Sequence, residues 1–231
     1  MTFQGKKVMV TGGTGAIGTA VSSAFLEAGA DVYSSYIVAE ELDRLPADLE
    51  NSDRFHTDKV NLLDETEVQA WFEKVGTPYV VANIAGGFDM AAVKDTELSA
   101  WQKMIDINLS TCFLTSRQAL RAMDAVGEGR IVNVASFAAV QRIGGMAAYT
   151  TAKRAVIALT EAMAEETLAT KITVNAILPT IMDTPANRTG MPDADFSTWV
   201  PGENVAKTIL FLADPSSWHI TGASLPLRGH S

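Results

Sequence analysis

A short β-branched run, Lys7-Val-Met-Val-Thr11, passes at once into Gly12-Gly13-Thr14-Gly15-Ala16-Ile17-Gly18, and a helical apolar pattern then runs to about Ala28. Within it, Gly13, Gly15 and Gly18 fit the spacing G-x-G-x-x-G. Glycine lets the backbone turn tightly and come close to a phosphate, and the helix that follows offers free N–H groups and its positive dipole end to negative charge. A dinucleotide is therefore expected on the turn formed by Gly12, Gly13, Thr14, Gly15, Ala16, Ile17 and Gly18. The plainer alternative is a glycine-rich strand-to-helix turn with no ligand.

The rest of the chain repeats this alternation. Strands are expected at 7–11, 30–36, 54–57, 79–84, 129–136, 172–178 and 224–227, and helices at 64–75, 97–123 and 149–169. A last helix carries Val205, Ile209 and Leu212 at helical spacing. Residues 179–201 hold four prolines and read as a long excursion with little regular structure, a length that usually serves function. Alternating elements imply an α/β fold, a doubly wound and mainly parallel sheet of about seven strands with helices on both faces. In such folds ligands bind beyond the carboxyl ends of the strands. Residues 1–231 fit one domain, with 179–201 as its substrate loop.

Composition narrows the partners. A net charge of −9 without a lysine or arginine cluster argues against nucleic acid and anionic membranes, and leaves small molecules. One cysteine, Cys112, excludes an internal disulfide framework and suits a reducing cytoplasm. The three histidines show no ligand spacing, so no metal is expected.

Tyr149-Thr-Thr-Ala-Lys153 places a phenol and an ammonium on one helix face. A lysine one turn away favours the phenolate and makes the tyrosine a usable acid or base near neutrality. Ser136 stands at the end of the fifth expected strand, where its hydroxyl can hold a substrate oxygen. Asn108 falls inside a long helix, where a buried amide must find hydrogen-bond partners. Singly, Ser136 also reads as a strand-end cap and Asn108 as a helix-bending amide. Cofactor type is sought at the end of the second strand, around Tyr36 and Ile37. No lysine or arginine occurs between Lys7 and Arg44, and Glu40 and Glu41 lie just beyond, so the reading leans towards NAD. Hydrogen bonds from Ser34, Ser35 or Tyr36 keep NADP open.

The glycine turn, Asn83-Ile-Ala-Gly86, Asn108-Leu109, Ser136, Tyr149-x-x-x-Lys153 and Asn175-Ala-Ile-Leu-Pro179, in that order, resemble the short-chain dehydrogenase/reductase family over nearly the whole chain. The resemblance implies a Rossmann-type fold and an NAD(P)-dependent oxidoreductase acting between an alcohol and a carbonyl. It also implies a catalytic set: Tyr149 exchanging a proton with the substrate oxygen, Ser136 orienting that oxygen, Lys153 holding the nicotinamide ribose and lowering the tyrosine pKa, and Asn108 supporting a proton relay. It further implies adenosine-side contacts from Asn83, Ala85 and Gly86, adenine contacts from Asn61 and Leu62, and nicotinamide-side contacts from Pro179, Ile181 and Thr184. Three departures are visible. Ala16 replaces a glycine of the usual turn, Thr180 follows Pro179 where glycine is usual, and Asn61 stands where Asp is common, with Asp58 as the alternative equivalent.

A homodimer or homotetramer is implied too, packed through helices beginning near Glu97 and Tyr149. Met182, Met191, Phe196 and Trp199 read either as an apolar lid or as packing for the excursion. The same two readings cover Phe88, Met90, Phe137, Val140, Ile143 and Met146 as pocket walls. Walls of this kind suit a neutral or weakly polar carbonyl compound. The competing functions are an epimerase or dehydratase on the same scaffold, and a dinucleotide-sensing protein without turnover.

Overall fold

The computed structural model of the protein describes residues 2–230. Seven parallel strands form one sheet in the order β3-β2-β1-β4-β5-β6-β7. In chain order the elements are β1 (Lys7–Thr11), α1 (Ala16–Glu27), β2 (Asp31–Tyr36), α2 (Ala47–Glu50), β3 (Phe55–Lys59), α3 (Glu65–Val75), β4 (Val80–Asn83), α4 (Leu98–Ile105), α5 (Thr111–Asp124), β5 (Glu128–Val134), α6 (Ala147–Glu166), β6 (Lys171–Pro179), α7 (Pro185–Gly190), α8 (Gly202–Ala213) and β7 (Ser224–Leu227).

Alternation along β1 shows how the layers form. Val8 and Val10 face one side, where Val21 and Phe25 of α1 and Val205, Ile209 and Leu212 of α8 pack in one cluster. Met9 faces the other side, with Trp71 and Phe72 of α3, Ala119 and Met123 of α5 and Met163 of α6. Both faces of the central strands are thus covered, which is why those strands read as near-continuous apolar runs. Each fully buried large side chain among these contributes about 1.5–3 kcal/mol.

Helix ends follow local chemistry. The Asp64 carboxylate accepts from the N–H groups of Thr66 and Glu67 to start α3, and Gly76, at φ 78°, ends it. The chain runs outward from β1 to β3 and then returns to β4 beside β1, so the direction of winding reverses between these two strands. That reversal opens a crevice at their carboxyl ends. The register levels them, with Thr11 beside Asn83 and Asn83 beside Asn133.

Two expectations are corrected. The single helix over 97–123 is interrupted at Asp106–Ser110 by a π-helical turn centred on Asn108. The excursion over 179–201 is more ordered than four prolines suggest. Thr184 caps α7, accepting from Asn187 N at 3.2 Å, with Pro185 preset for the first helical turn, and Met182 pairs with Val200 to close the base of the loop.

Candidate active site

A cleft of about 1120 Å³ opens along the carboxyl edge of the sheet, from Tyr36 and Asn61 at one end to Met191 and Arg228 at the other. Its nucleotide-side wall is the glycine turn. Gly15 is the N-terminal flank of α1, with no side-chain cap and no acidic residue in the first turn, so the first N–H groups of that helix remain available to an anion. The turn is packed to its limit. A Cβ on Gly18 would lie 2.0 Å from the Gly12 carbonyl oxygen, and one on Gly12 would lie 3.3 Å from Ala85 Cα. Thr11 Oγ1 accepts from the N–H groups of Ile84 and Ala85 at 2.9 and 3.1 Å, fastening the loop after β4 against the turn. These features fit a dinucleotide whose pyrophosphate sits on α1.

Ser136, Tyr149, Lys153 and Asn108 meet in the middle of this cleft. Ser136 follows β5, and its Oγ accepts from Ala138 N at 3.3 Å, which starts a single 3₁₀ turn. Tyr149 and Lys153 lie one turn apart on α6. Burial pushes the Tyr149 phenol above its usual value, and the Ser136 hydroxyl beside it acts in the opposite sense. The depression expected from Lys153 is not what the chain by itself produces, because the Lys153 ammonium is turned to the Val134 carbonyl, 2.8 Å away. Lys153 is 5% exposed, and burial lowers its pKa to about 8, with Cys112 a smaller influence that raises it. Cys112 is pushed up to about 11 by its own burial.

The π turn explains Asn108. Its Nδ2 donates to Gly87 O at 2.9 Å and to Met104 O at 3.0 Å, and its Oδ1 accepts from Gly87 N at 3.2 Å. The amide therefore pairs with Gly87 as a strand would, and occupies the carbonyl that its own N–H would take in a regular α-helix. A Cβ on Gly86 would lie 2.7 Å from Asn108 Oδ1 and 3.3 Å from Lys153 Nζ, so a larger residue there would displace the Asn108 amide from its pairing with Gly87.

Gly12, Gly15, Ala16, Ile17, Gly18, Tyr36, Asn61, Leu62, Ala85, Gly86, Pro179, Ile181 and Thr184 all line the cleft. Three of the expected cofactor residues do not. Gly13 faces inward, where a Cβ would lie 2.0 Å from Ser34 Oγ, and its carbonyl accepts from Ser22 Oγ at 3.2 Å, so it serves the seating of α1 on β2. The Thr14 hydroxyl donates to Glu41 Oε2 at 2.5 Å. Asn83 lies beneath the floor, its Nδ2 shared between Ser116 Oγ and Asn133 Oδ1, each at 2.8 Å. Asp58, the alternative to Asn61, is ion-paired with Lys74 and does not line the cleft.

The excursion divides between its two readings. Trp199 is buried with Phe196 tilted against it, whereas Met182 and Met191 reach the cleft. Phe88 meets the Tyr149 ring edge-on at 4.9 Å. Phe137, Ile143 and Met146 also line the walls, and Val140 does not. Sequence reasoning missed Val60, Thr111, Asn187 and Arg228, which reach the cleft from four separate elements or loops and share no motif spacing.

Comparison with known proteins agrees with this geometry. The family model described as short chain dehydrogenase matches residues 6–194. The uncharacterized oxidoreductase YvrD of Bacillus subtilis is 30% identical, covering 97% of this chain and 95% of its own length. The 3-oxoacyl-[acyl-carrier-protein] reductase FabG of Thermotoga maritima is 29% identical, covering 99% of this chain and 98% of its own length. A variant of actinorhodin polyketide ketoreductase, solved with NADPH, superposes with a TM-score of 0.89 at 25% identity, over 97% of this chain and 96% of that one. The chain belongs to the short-chain dehydrogenase/reductase family, and it is an NAD(P)-dependent oxidoreductase that moves a hydride between this cofactor and an alcohol or carbonyl compound.

Proposed function

We propose that Tyr149 is the proton donor and acceptor of this reaction, that Ser136 holds the substrate oxygen, and that Lys153 and Asn108 complete the site. The observation that carries the reading is the convergence of Ser136, Tyr149 and Lys153 on the cleft that the glycine turn opens into. When bound, the nicotinamide supplies or accepts the hydride. In the reducing direction the substrate carbon gains that hydride while its oxygen takes the Tyr149 proton. The phenol, held above its usual pKa by burial, keeps that proton at neutral pH, and it gives it up only as charge grows on the substrate oxygen. Ser136 donates to the same oxygen and steadies its growing charge. Lys153 lies one turn along α6, and its ammonium, once turned from the Val134 carbonyl towards the phenol, favours the phenolate left behind. Asn108 holds Gly86 and Gly87 in place beside Lys153 and acts as a positioning residue.

NAD is proposed in preference to NADP, although the actinorhodin ketoreductase was solved with NADPH. Glu41 lines the cleft from the 3₁₀ turn Ala39–Arg44 that follows β2, bound to Thr14, and no lysine or arginine side chain lines that end among the described residues. A carboxylate there repels a 2′-phosphate. The test is consumption of NADH and NADPH against a carbonyl panel, with Glu41→Gln alongside the parent. A higher kcat/KM with NADH, narrowed by Glu41→Gln, is the expected result; a preference for NADPH in the parent sinks it. Loss of NADH absorbance in step with carbonyl consumed also separates net reduction from an epimerase or dehydratase.

A homodimer or homotetramer is part of the same reading, supported by the exposed Leu98 on α4 and Phe113 on α5. Light scattering after gel filtration tests it, and a monomer at micromolar concentration refutes it. No helix among the described residues is long and apolar enough to cross a membrane. A cytoplasmic setting is proposed with it, supported by the single cysteine, which is buried.

A further inference from the structure

We infer that Arg228 is an anion-binding residue of the substrate pocket, and that the physiological substrate is a carbonyl compound carrying a carboxylate. The inference deepens the hydride-transfer reading and rests on it. Among the described residues lining the cleft the charged side chains are Glu41, Lys153 and Arg228. Glu41 stands at the nucleotide end, and Lys153 is buried and committed to Val134 O. Arg228 is the cation left facing the rest of the pocket.

Its position excludes the cofactor phosphates as its partner. Arg228 follows β7, four strands across the sheet from β1 and the glycine turn, or roughly 19 Å at the usual strand spacing. Ser136 follows β5, only two strands away. The guanidinium lies 5.0 Å from the ring centre of Phe137, the residue next to Ser136. Stacked on an aromatic face, an arginine keeps its N–H edge free to make a forked pair with a carboxylate, and its freedom is already restricted before a ligand arrives.

The backbone carrying Arg228 is also held. Gly229 N donates to Thr180 Oγ1 at 3.1 Å, His230 N donates to Thr198 O at 2.9 Å, and a Cβ on Gly229 would lie 1.9 Å from that Thr198 oxygen. Thr180 is the residue that departs from the family's usual glycine after the proline of β6. Its hydroxyl gives the departure a use, because a glycine there has no group to fasten the segment that presents Arg228. The apolar walls thus carry one positioned cation at the substrate end. A wholly neutral substrate leaves that cation unused.

The test is a ladder of keto acids (pyruvate, acetoacetate, 4-oxopentanoate and 5-oxohexanoate), each paired with its methyl ester, at saturating NADH and again at saturating NADPH. At least one acid is expected to exceed its ester by at least about tenfold in kcat/KM, the size of a charge-assisted hydrogen-bond pair. Arg228→Gln collapses that ratio, Arg228→Lys recovers part of it, and Thr180→Val lowers it by less than Arg228→Gln does. Acids and esters used equally, or an acid preference that survives Arg228→Gln, overturns the inference while leaving the hydride-transfer reading intact. If no member of either series is reduced, that reading fails for these carbonyls. The anion site is then judged by calorimetric titration of glutarate into the NAD-saturated protein. Binding weakened at least about tenfold by Arg228→Gln supports it, and equal or absent binding in the two proteins overturns it.

Discussion

On the floor of the cleft and directly beneath it, polar side chains from different elements bind one another. Asn83 joins Ser116 and Asn133, Asn133 joins Thr160 at 2.8 Å, and Lys153 and Asn108 are tied to backbone carbonyls. At the rim the side chains are apolar and open to solvent: Phe88 is 54% exposed, Met90 57% and Ile143 45%. A buried polar group left without a partner costs about 1–3 kcal/mol, so each floor residue restricts its neighbours to a few chemical types. An exposed apolar side chain at the rim imposes little on its surroundings, and a change there usually stays within about 0.5 kcal/mol. The floor is thus suited to keeping one chemistry, and the rim to varying what is bound.

The sharpest way to break this contrast is Tyr149→Phe, which removes one oxygen from the floor and leaves the ring against Phe88. A loss of about 10²–10⁴ in kcat/KM for carbonyl reduction is expected, the usual contribution of a general acid. NAD(P)H absorbance reads it, and a variant within fivefold of the parent refutes the assignment.

The pH profile sharpens the comparison from the Lys153 side. Its folded pKa, about 8, lies below its ordinary 10.5. The ammonium is therefore lost first in the folded enzyme, and the reduction rate should fall as pH rises through about 8. Stability takes the opposite sign. Burial penalises the charged form, so the destabilisation from this group is fully present below about 8 and is relieved as pH rises towards 10.5. Urea midpoints across that window, in the parent and in Lys153→Met, separate this group from the others. A parent curve that falls no less steeply than the variant's removes Lys153 as the cause.

Asn108→Leu strips three hydrogen bonds from Gly87 and Met104 while keeping bulk. A stability loss of about 1–3 kcal/mol is expected in urea unfolding, with kcat falling more than KM rises. Unchanged stability would show that water replaces the amide at no cost. Smallest of all is Phe88→Ala. Losing its edge-on contact with Tyr149 should cost about 0.5–1.5 kcal/mol at most, and the change in kcat/KM should depend on which carbonyl is offered. A loss as large as that of Tyr149→Phe, equal for all carbonyls, would erase the distinction between floor and rim.

The floor was the legible part of the site because its residues sit at strand ends and helix turns that periodicity locates. Ser136 at the end of β5, Tyr149 and Lys153 on one face of α6, and Gly12 to Gly18 after β1 could all be placed from spacing. The π turn at Asn108 was not legible, since the residues of 97–123 keep helical apolar spacing through it. Gly13, Thr14 and Asn83 lie within motifs yet face inward or pair elsewhere, and a motif does not say which way each member points. Arg228 could not be found at all, because what brings it to Phe137 is the pairing of β7 with β6.

Local order and chemical identity were therefore determined along the chain: seven strands alternating with helices, a glycine turn open to a phosphate, and a tyrosine with its lysine. These follow from periods of two and 3.6 residues and from the special geometry of glycine, all readable within a few residues. Only the tertiary structure decided that the Lys153 ammonium turns to Val134, that Glu41 reaches Thr14, and that Arg228 meets Phe137 at the lining of the cleft. Those contacts join residues 19, 27 and 91 positions apart. Sheet order brings such residues together, and no local pattern encodes it.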